Sequence, residues 1–343
     1  MMRHVLRLLA IPCVTLLLCG CPVHQWPVQR TPARISLRYE PDFWLWEHLY
    51  DPRAGVIEEL YPDAGVDAAH PGTTERYSGA VDRGAMRYVV RAYAPGRRDV
   101  LVAEERFLRD AAEGYDCDFE MADLPSDDCE LVVWSDLLET ENDAPFYDDA
   151  DFHRIGFDTG DYRACTELHD TFRGLGTVAR GDGETVIPMR RPMAKFEFVT
   201  TDLSEFLDHE TERRNLDTRA RADEYEVLFS YSSFLPSAYS AFDDELVDAA
   251  TGVTFRSSLT ITGESEASMG FDYVFINDIA DAEVEVRVAV YDAEGVRVAQ
   301  SQPIMVPLRR NWHTLLRGTF LTFAAQGGVT VDPDFEGDHN IIY

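Results

Sequence analysis

One lysine, Lys195, stands against thirty arginines in 343 residues. We read that scarcity as a bias of composition, without functional meaning. Positive charge as a whole is short, with 31 basic residues facing 62 acidic ones and a net charge of −31 when histidine is neutral. Such an excess argues against nucleic acid and anionic membrane surfaces as partners, because both repel it. It fits a solvated acidic shell. A run long enough to cross a membrane is also missing. A spanning helix needs about 20 apolar residues for about 30 Å of hydrocarbon, and Leu8 to Leu18 is shorter and broken by Pro12 and Thr15. The chain has no HExxH metal helix, no GxSxG elbow, no GxxxxGK[ST] phosphate loop and no GxGxxG turn. Those absences argue for a protein that is not an enzyme.

What the chain does have begins with its first twenty-one residues. Arg3 and Arg7 precede the short apolar run, and Leu18-Cys19-Gly20-Cys21 closes it. A positive start, a short apolar stretch and a small residue before a cysteine read as a removable export signal. The last four residues resemble a bacterial lipobox. That resemblance implies cleavage between Gly20 and Cys21 and acylation of the Cys21 thiol and new amino terminus. At about 0.8 kcal/mol per buried methylene, two or three acyl chains hold a protein on a membrane durably. Cys13 and Cys19 leave with the signal, so Cys117, Cys129 and Cys165 remain. Pro125-Ser126-Asp127-Asp128 reads as a hairpin turn that sets residue 129 opposite about 124, leaving Cys117 beyond the roughly 7 Å that a disulfide spans. Three free, mostly buried thiols are expected.

Organisation follows from punctuation and period. Residues 1–20 are the signal and residues 21–33, with Pro22, Pro27 and Pro32, a stiff spacer. Length then predicts two domains, 34–189 and 190–343, meeting near Met189 to Pro192. Ile35, Leu37 and Tyr39 alternate with polar residues as a first strand. Phe43, Trp44, Trp46 and Tyr50 form either an exposed sugar platform or a packed connection. A long loop is expected from Asp51 to Gly84, strands over 86–94, 99–112 and 129–135, a helical turn around Phe152 and Ile155, and a short helix from Thr166 to Gly174. In the second half Ala194 to Thr200, Tyr225 to Tyr231, Phe271 to Phe275 and Val284 to Val290 alternate as strands. Asp202 and Glu205 resemble a capping box for a helix bearing Leu203, Phe206 and Leu207. Asp292-Ala293-Glu294-Gly295 turns the chain back into Val296 and Val298, and Ile304, Val306 and Leu308 alternate again. Many short strands and few helices predict an all-β fold of antiparallel sandwiches.

Candidate chemistry is thin. Cys165 and His169, four apart, would share a helix face but do not make a zinc site. Asp332, Asp334, Glu336 and Asp338 are the best cation ligands, yet the twelfth position of a calcium loop holds Tyr343. Catalytic carboxylate pairs cannot be picked from 62 acids. No cofactor and no metal is expected, and no ligand-binding residue is singled out.

From Met189 onward the chain is similar to Bacteroidales surface lipoproteins of the fimbrillin and fimbrial-anchor group. The resemblance is carried by Arg191 to Phe198, Phe234-Leu235-Pro236-Ser237, Gly252-Val253-Thr254-Phe255, Gly270 to Asn277, Val306 to Asn311 and Arg317 to Thr322, and more loosely by Ile35 to Tyr39 and Leu131 to Ser135. It implies two transthyretin-like β-sandwich domains in series, lipid-anchored at the cell outer membrane and exposed at the surface. It also implies other fimbrial-type subunits as partners, joined by β-strand exchange. Stalk subunits of the group are trimmed after an arginine near the N-terminus, where this chain has Arg30, Arg34 and Arg38. The other reading is a solitary adhesin or glycan-binding lipoprotein resting on the aromatics of Phe43 to Tyr50.

Overall fold

The computed structural model describes residues 32–51, 56–59, 76–77, 84–122, 124, 128–178, 183–277 and 282–322. Among them are twenty-two strands and one α-helix, Leu203–Arg213, so the expected all-β architecture of packed sheets is what forms. The signal, Cys21, Arg30 and the acids of 332–338 lie outside the described residues.

A seven-stranded first sheet runs in the order Arg97–Asp110, Ala85–Ala94, Glu130–Leu138, Thr171–Thr177, Glu184–Arg190, Ala33–Tyr39 and Cys117–Met121. It curls until its two outer strands meet, with the Phe107 and Phe119 rings 5.0 Å apart and Arg109 Nη1 donating to the Asp116 carbonyl at 2.8 Å. Inside the curl lie Leu37, Tyr88, Val90, Leu131, Val133, Phe172 and Ile187. Gly174 and Gly176 are strand residues here, not helix stops. A Cβ on Gly174 would sit 2.4 Å from Met189 Sδ and 2.7 Å from Ile187 Cγ2. The expected Thr166-to-Gly174 helix shrinks to a single turn, Glu167–His169, where Thr166 Oγ1 accepts from the Leu168 N–H.

The other half is a true two-layer sandwich. One layer holds Thr260–Ile261, Ala267–Phe275, Met193–Thr200, Trp312–Gly318, Phe43–Asp51 and Val56–Glu59, with Arg76–Tyr77 also pairing to Phe43–Asp51. The facing layer holds Thr254–Ser258, Glu226–Tyr231, Ala282–Tyr291 and Arg297–Gln300, with Ile304–Leu308 along the other end of Ala282–Tyr291. Phe196, Phe198, Phe229, Val286 and Val288 fill the space between, and the helix adds Leu203, Phe206 and Leu207. The Asp292 to Gly295 turn forms as expected, Gly295 standing at φ 78 and donating to the Asp292 carbonyl at 2.9 Å. The capping box does not. Asp202 turns its carboxylate away from the helix and accepts instead from the backbone N–H of Thr322 at 2.7 Å and from its hydroxyl at 2.7 Å.

Between the halves lies a third apolar cluster, including Phe43, Trp134, Phe152, Tyr239, Tyr273 and Phe275. Phe152 and Ile155 belong to it through turns and an extended bridge, not the expected helical spacing. Within Glu130–Leu138 the unbroken apolar run Leu131 to Trp134 has a plain cause: Leu131 and Val133 face the first core while Val132 and Trp134 face this one.

Candidate functional site

The N-terminal residues enter both halves. Ala33–Tyr39 lies parallel to Glu184–Arg190 on one side and antiparallel to Cys117–Met121 on the other. Three residues later Phe43–Asp51 pairs parallel to Trp312–Gly318. By sequence Phe43–Asp51 lies in the expected 34–189 unit, but it hydrogen-bonds into the sheet of the C-terminal half. Each strand therefore sits beside the last strand of its half, next to a short outermost strand. Among the described strands the pairings are antiparallel except for these two and that between Met193–Thr200 and Trp312–Gly318, which are parallel. Their partners are far apart in sequence, as parallel pairing requires.

The crossing is sealed by Arg191. Its side chain is fully buried and holds Asp170 in a fork, Nε to Oδ1 at 2.6 Å and Nη2 to Oδ2 at 2.8 Å. Nη2 also donates to the Pro41 carbonyl at 2.6 Å, and Nη1 to Asn311 Oδ1. The guanidinium lies 3.7 Å over the Phe43 ring and 4.7 Å from that of Phe172. Burial raises the Asp170 carboxyl from its ordinary value, against the pull of Arg191. Asn311 finishes the joint: its N–H donates to the Met193 carbonyl at 2.9 Å and its carbonyl accepts from Trp44 N–H at 3.1 Å. One arginine thus contacts four segments, residue 41, residue 170, residue 311 and its own link between the halves.

A second buried carboxylate, Asp272, accepts from Tyr231 at 2.7 Å, from Tyr162 at 2.9 Å and from its neighbour's N–H at 2.8 Å. Burying a carboxylate this way is tolerable only because its lone pairs are satisfied.

The aromatic run from Phe43 to Tyr50 is strand, not platform. Phe43, Trp46 and Tyr50 are buried and Trp44 is half-buried against Trp312, 6.3 Å between rings. Arg309 lies 3.9 Å over Trp46. Sequence reasoning missed this strand because its large apolar side chains crowd consecutive positions, Phe43 to Trp46, and hide the alternation of buried Trp46, His48 and Tyr50 with half-buried Glu47 and exposed Leu49. Arg191 was missed as well, although it opens the first of the blocks that carry the family resemblance. Cys165 and His169 share no helix face: Cys165 has φ 58, and burial pushes its thiol up to about 11. Cys117, Cys129 and Cys165 form no disulfide with one another. The strand Cys117–Met121 pairs with Ala33–Leu37, so the hairpin expected to join it to Cys129 does not form. Among the described residues no group of His, Cys, Asp and Glu is placed to hold a metal ion, and no helix is long and apolar enough to cross a membrane.

Packed sheets around three apolar clusters define a mainly-β protein. Within that class the chain belongs to the family of unknown function DUF6562, whose model matches residues 65–342. Among solved structures it is similar to a candidate adhesin from Bacteroides thetaiotaomicron, at 11% identity and TM-score 0.40 over 79% of this chain and 81% of that one. It is similar to a candidate cell adhesion protein from Bacteroides eggerthii, at 11% and 0.37 over 87% and 89%. A fimbrial assembly protein from Parabacteroides distasonis stands at 12% and 0.34 over 84% and 91%. None of the curated proteins matches the chain.

Proposed function

We propose that this chain is a non-enzymatic lipoprotein of the cell outer membrane, held by acyl chains on Cys21 after cleavage behind Gly20, and that it serves as an anchor or subunit of a fimbria-like assembly. The division into units 34–189 and 190–343 belongs to the same reading, with Phe43–Asp51 lent from the first to the second. The placing of residues 33–51 carries it. A single segment near the N-terminus fills a strand position in each half, bounded on its outer side by short strands. Such positions are what an extended segment of another subunit can occupy, main-chain hydrogen bonds supplying affinity and alternate side-chain pockets the register. Ile35 and Leu37 mark those pockets in the first half, both buried. Arg34 and Arg38 lie on this strand and Arg30 precedes it in sequence, and a chain held by lipid on Cys21 stays uncut at all three. The burial of Phe43, Trp46 and Tyr50 removes the main support for a glycan platform.

The test is an unboiled detergent gel of native outer membranes, immunoblotted for this chain beside a Cys21→Ala strain. A high-mass ladder that collapses on boiling, and is shed into the medium by the variant, is the expected result. A single monomer band in both would overturn the assembly.

A further inference from the structure

The one lysine of the chain is buried. Lys195 lies at the centre of the sheet Thr260 to Glu59, with Tyr273 across from it on one neighbouring strand and His313 on the other, and is 2% exposed. Its Nζ is 2.8 Å from Glu167 Oε1 and lies 4.2 Å from the Phe271 ring. The second oxygen of the same carboxylate accepts from the Tyr273 hydroxyl. Two residues along the strand, on the same face, Glu197 accepts from Ser268 Oγ at 2.6 Å and lies 3.3 Å from His313 Nε2. A composition that uses arginine for every other cation keeps lysine here. Arginine makes the better fork to a carboxylate, so charge pairing does not explain the choice. What lysine has and arginine lacks is an amine that can lose its proton and act as a nucleophile.

We propose that Lys195 and Glu167 form an intramolecular amide, a covalent link between the turn Glu167–His169 of the first half and the first strand of the second. The partners and their stoichiometry fit without a cofactor. A proton passes from the ammonium to the Glu167 carboxylate along their hydrogen bond, giving an amine and a carboxylic acid. The nitrogen lone pair attacks Cδ, and the Tyr273 hydroxyl hydrogen-bonds the oxygen that gains charge. A proton passes from the nitrogen to the departing hydroxyl, the C–O bond breaks and one water leaves. No oxidant or reductant is needed. Amide formation in water is slow between separate molecules, but groups held in contact reach effective molarities of about 10⁵–10⁸ M, which lowers the barrier.

The single lysine makes the test sharp. Unfolded in urea, the full chain meets a lysine-specific protease, whose one cleavage point follows Lys195. The linked wild type stays whole, and in a tryptic digest Ala164–Arg173 is found joined to the peptide containing Lys195, the pair lighter than its separate peptides by one water. Glu167→Ala restores cleavage into two fragments, and Tyr273→Phe lowers the linked fraction in freshly folded protein. Cleavage of the wild type into two fragments of unaltered mass would overturn the proposal and leave an ion pair. An uncut chain carrying added mass on Lys195 would overturn it equally, in favour of another modification.

Discussion

The two strands of the N-terminal segment do the same work in different ways. Ala33–Tyr39 is the lighter strand: two fully buried apolar side chains, Ile35 and Leu37, Tyr39 partly buried 5.1 Å from the Phe172 ring, and charged neighbours such as Arg38, which holds Asp118 at 2.7 Å on the surface. Phe43–Asp51 is heavy, with Phe43 in the cluster between the halves and Tyr50 stacked on Phe320 at 5.1 Å in the second core. The first strand depends on register and main-chain pairing. The second depends on buried aromatic area, so it is the firmer of the two. What joins them is the Glu40-Pro41-Asp42 bend, fastened by Arg191.

Breaking the fastening should have the largest effect. Arg191→Ala leaves the Asp170 carboxylate buried and uncompensated, and the expected loss is about 3–5 kcal/mol in the denaturant midpoint, with Asp170→Asn in the same background recovering part of it. Phe43→Ala removes a fully buried ring from the joint and is expected to cost about 3–5 kcal/mol by the same measurement, whereas Ile35→Val on the lighter strand costs about 0.5–1.5 kcal/mol. Gly174→Val tests the core under the lighter strand: its side chain would displace Met189 and Ile187, and about 1–3 kcal/mol is expected.

A smaller effect separates the halves by pH. Burial lowers the His313 pKa below its ordinary 6.5, outweighing the nearby Glu197. The unfolded chain then binds the proton more readily than the folded one, so this contribution is complete above about 6.5 and is lost as pH falls through that value. Unfolding midpoints measured between pH 8 and pH 5 should fall on the acid side, and His313→Gln should flatten that fall. An unchanged slope would mean that His313 is not held neutral.

Legibility in the sequence followed from how many faces a strand covers. Val284 to Val290 alternates because one side packs against the helix and sheet while Glu285 and Arg287 meet water, so its period was plain. Met193–Thr200 and Ala267–Phe275 are covered on both sides yet kept a readable alternation of aromatics, whereas in Phe43–Asp51 the apolar run Phe43 to Trp46 hid the alternation that exposed Leu49 and Asp51 reveal. The expected helix bearing Leu203, Phe206 and Leu207 forms, and only its capping box fails, because Asp202 has a better partner in Thr322. Phe152 and Ile155 fit a helical spacing but are buried by tertiary contacts of an irregular segment. The lone lysine was visible as a count, and its meaning lay in which carboxylate, ring and hydroxyl the fold brought to it. The parallel crossing was invisible, because nothing local tells a strand which half it will join.

The central claim is that residues 33–51 and Arg191 fuse two sheet systems into one cooperative unit. Hydrogen exchange followed by mass spectrometry across a denaturant series tests it most directly, comparing amides of Glu130–Leu138 with those of Ala282–Tyr291, one strand from the interior of each half. The account predicts that both sets open with the same free energy and the same denaturant dependence, and that Arg191→Ala parts them. Exchange of one strand while the other stays protected in the wild type would contradict it.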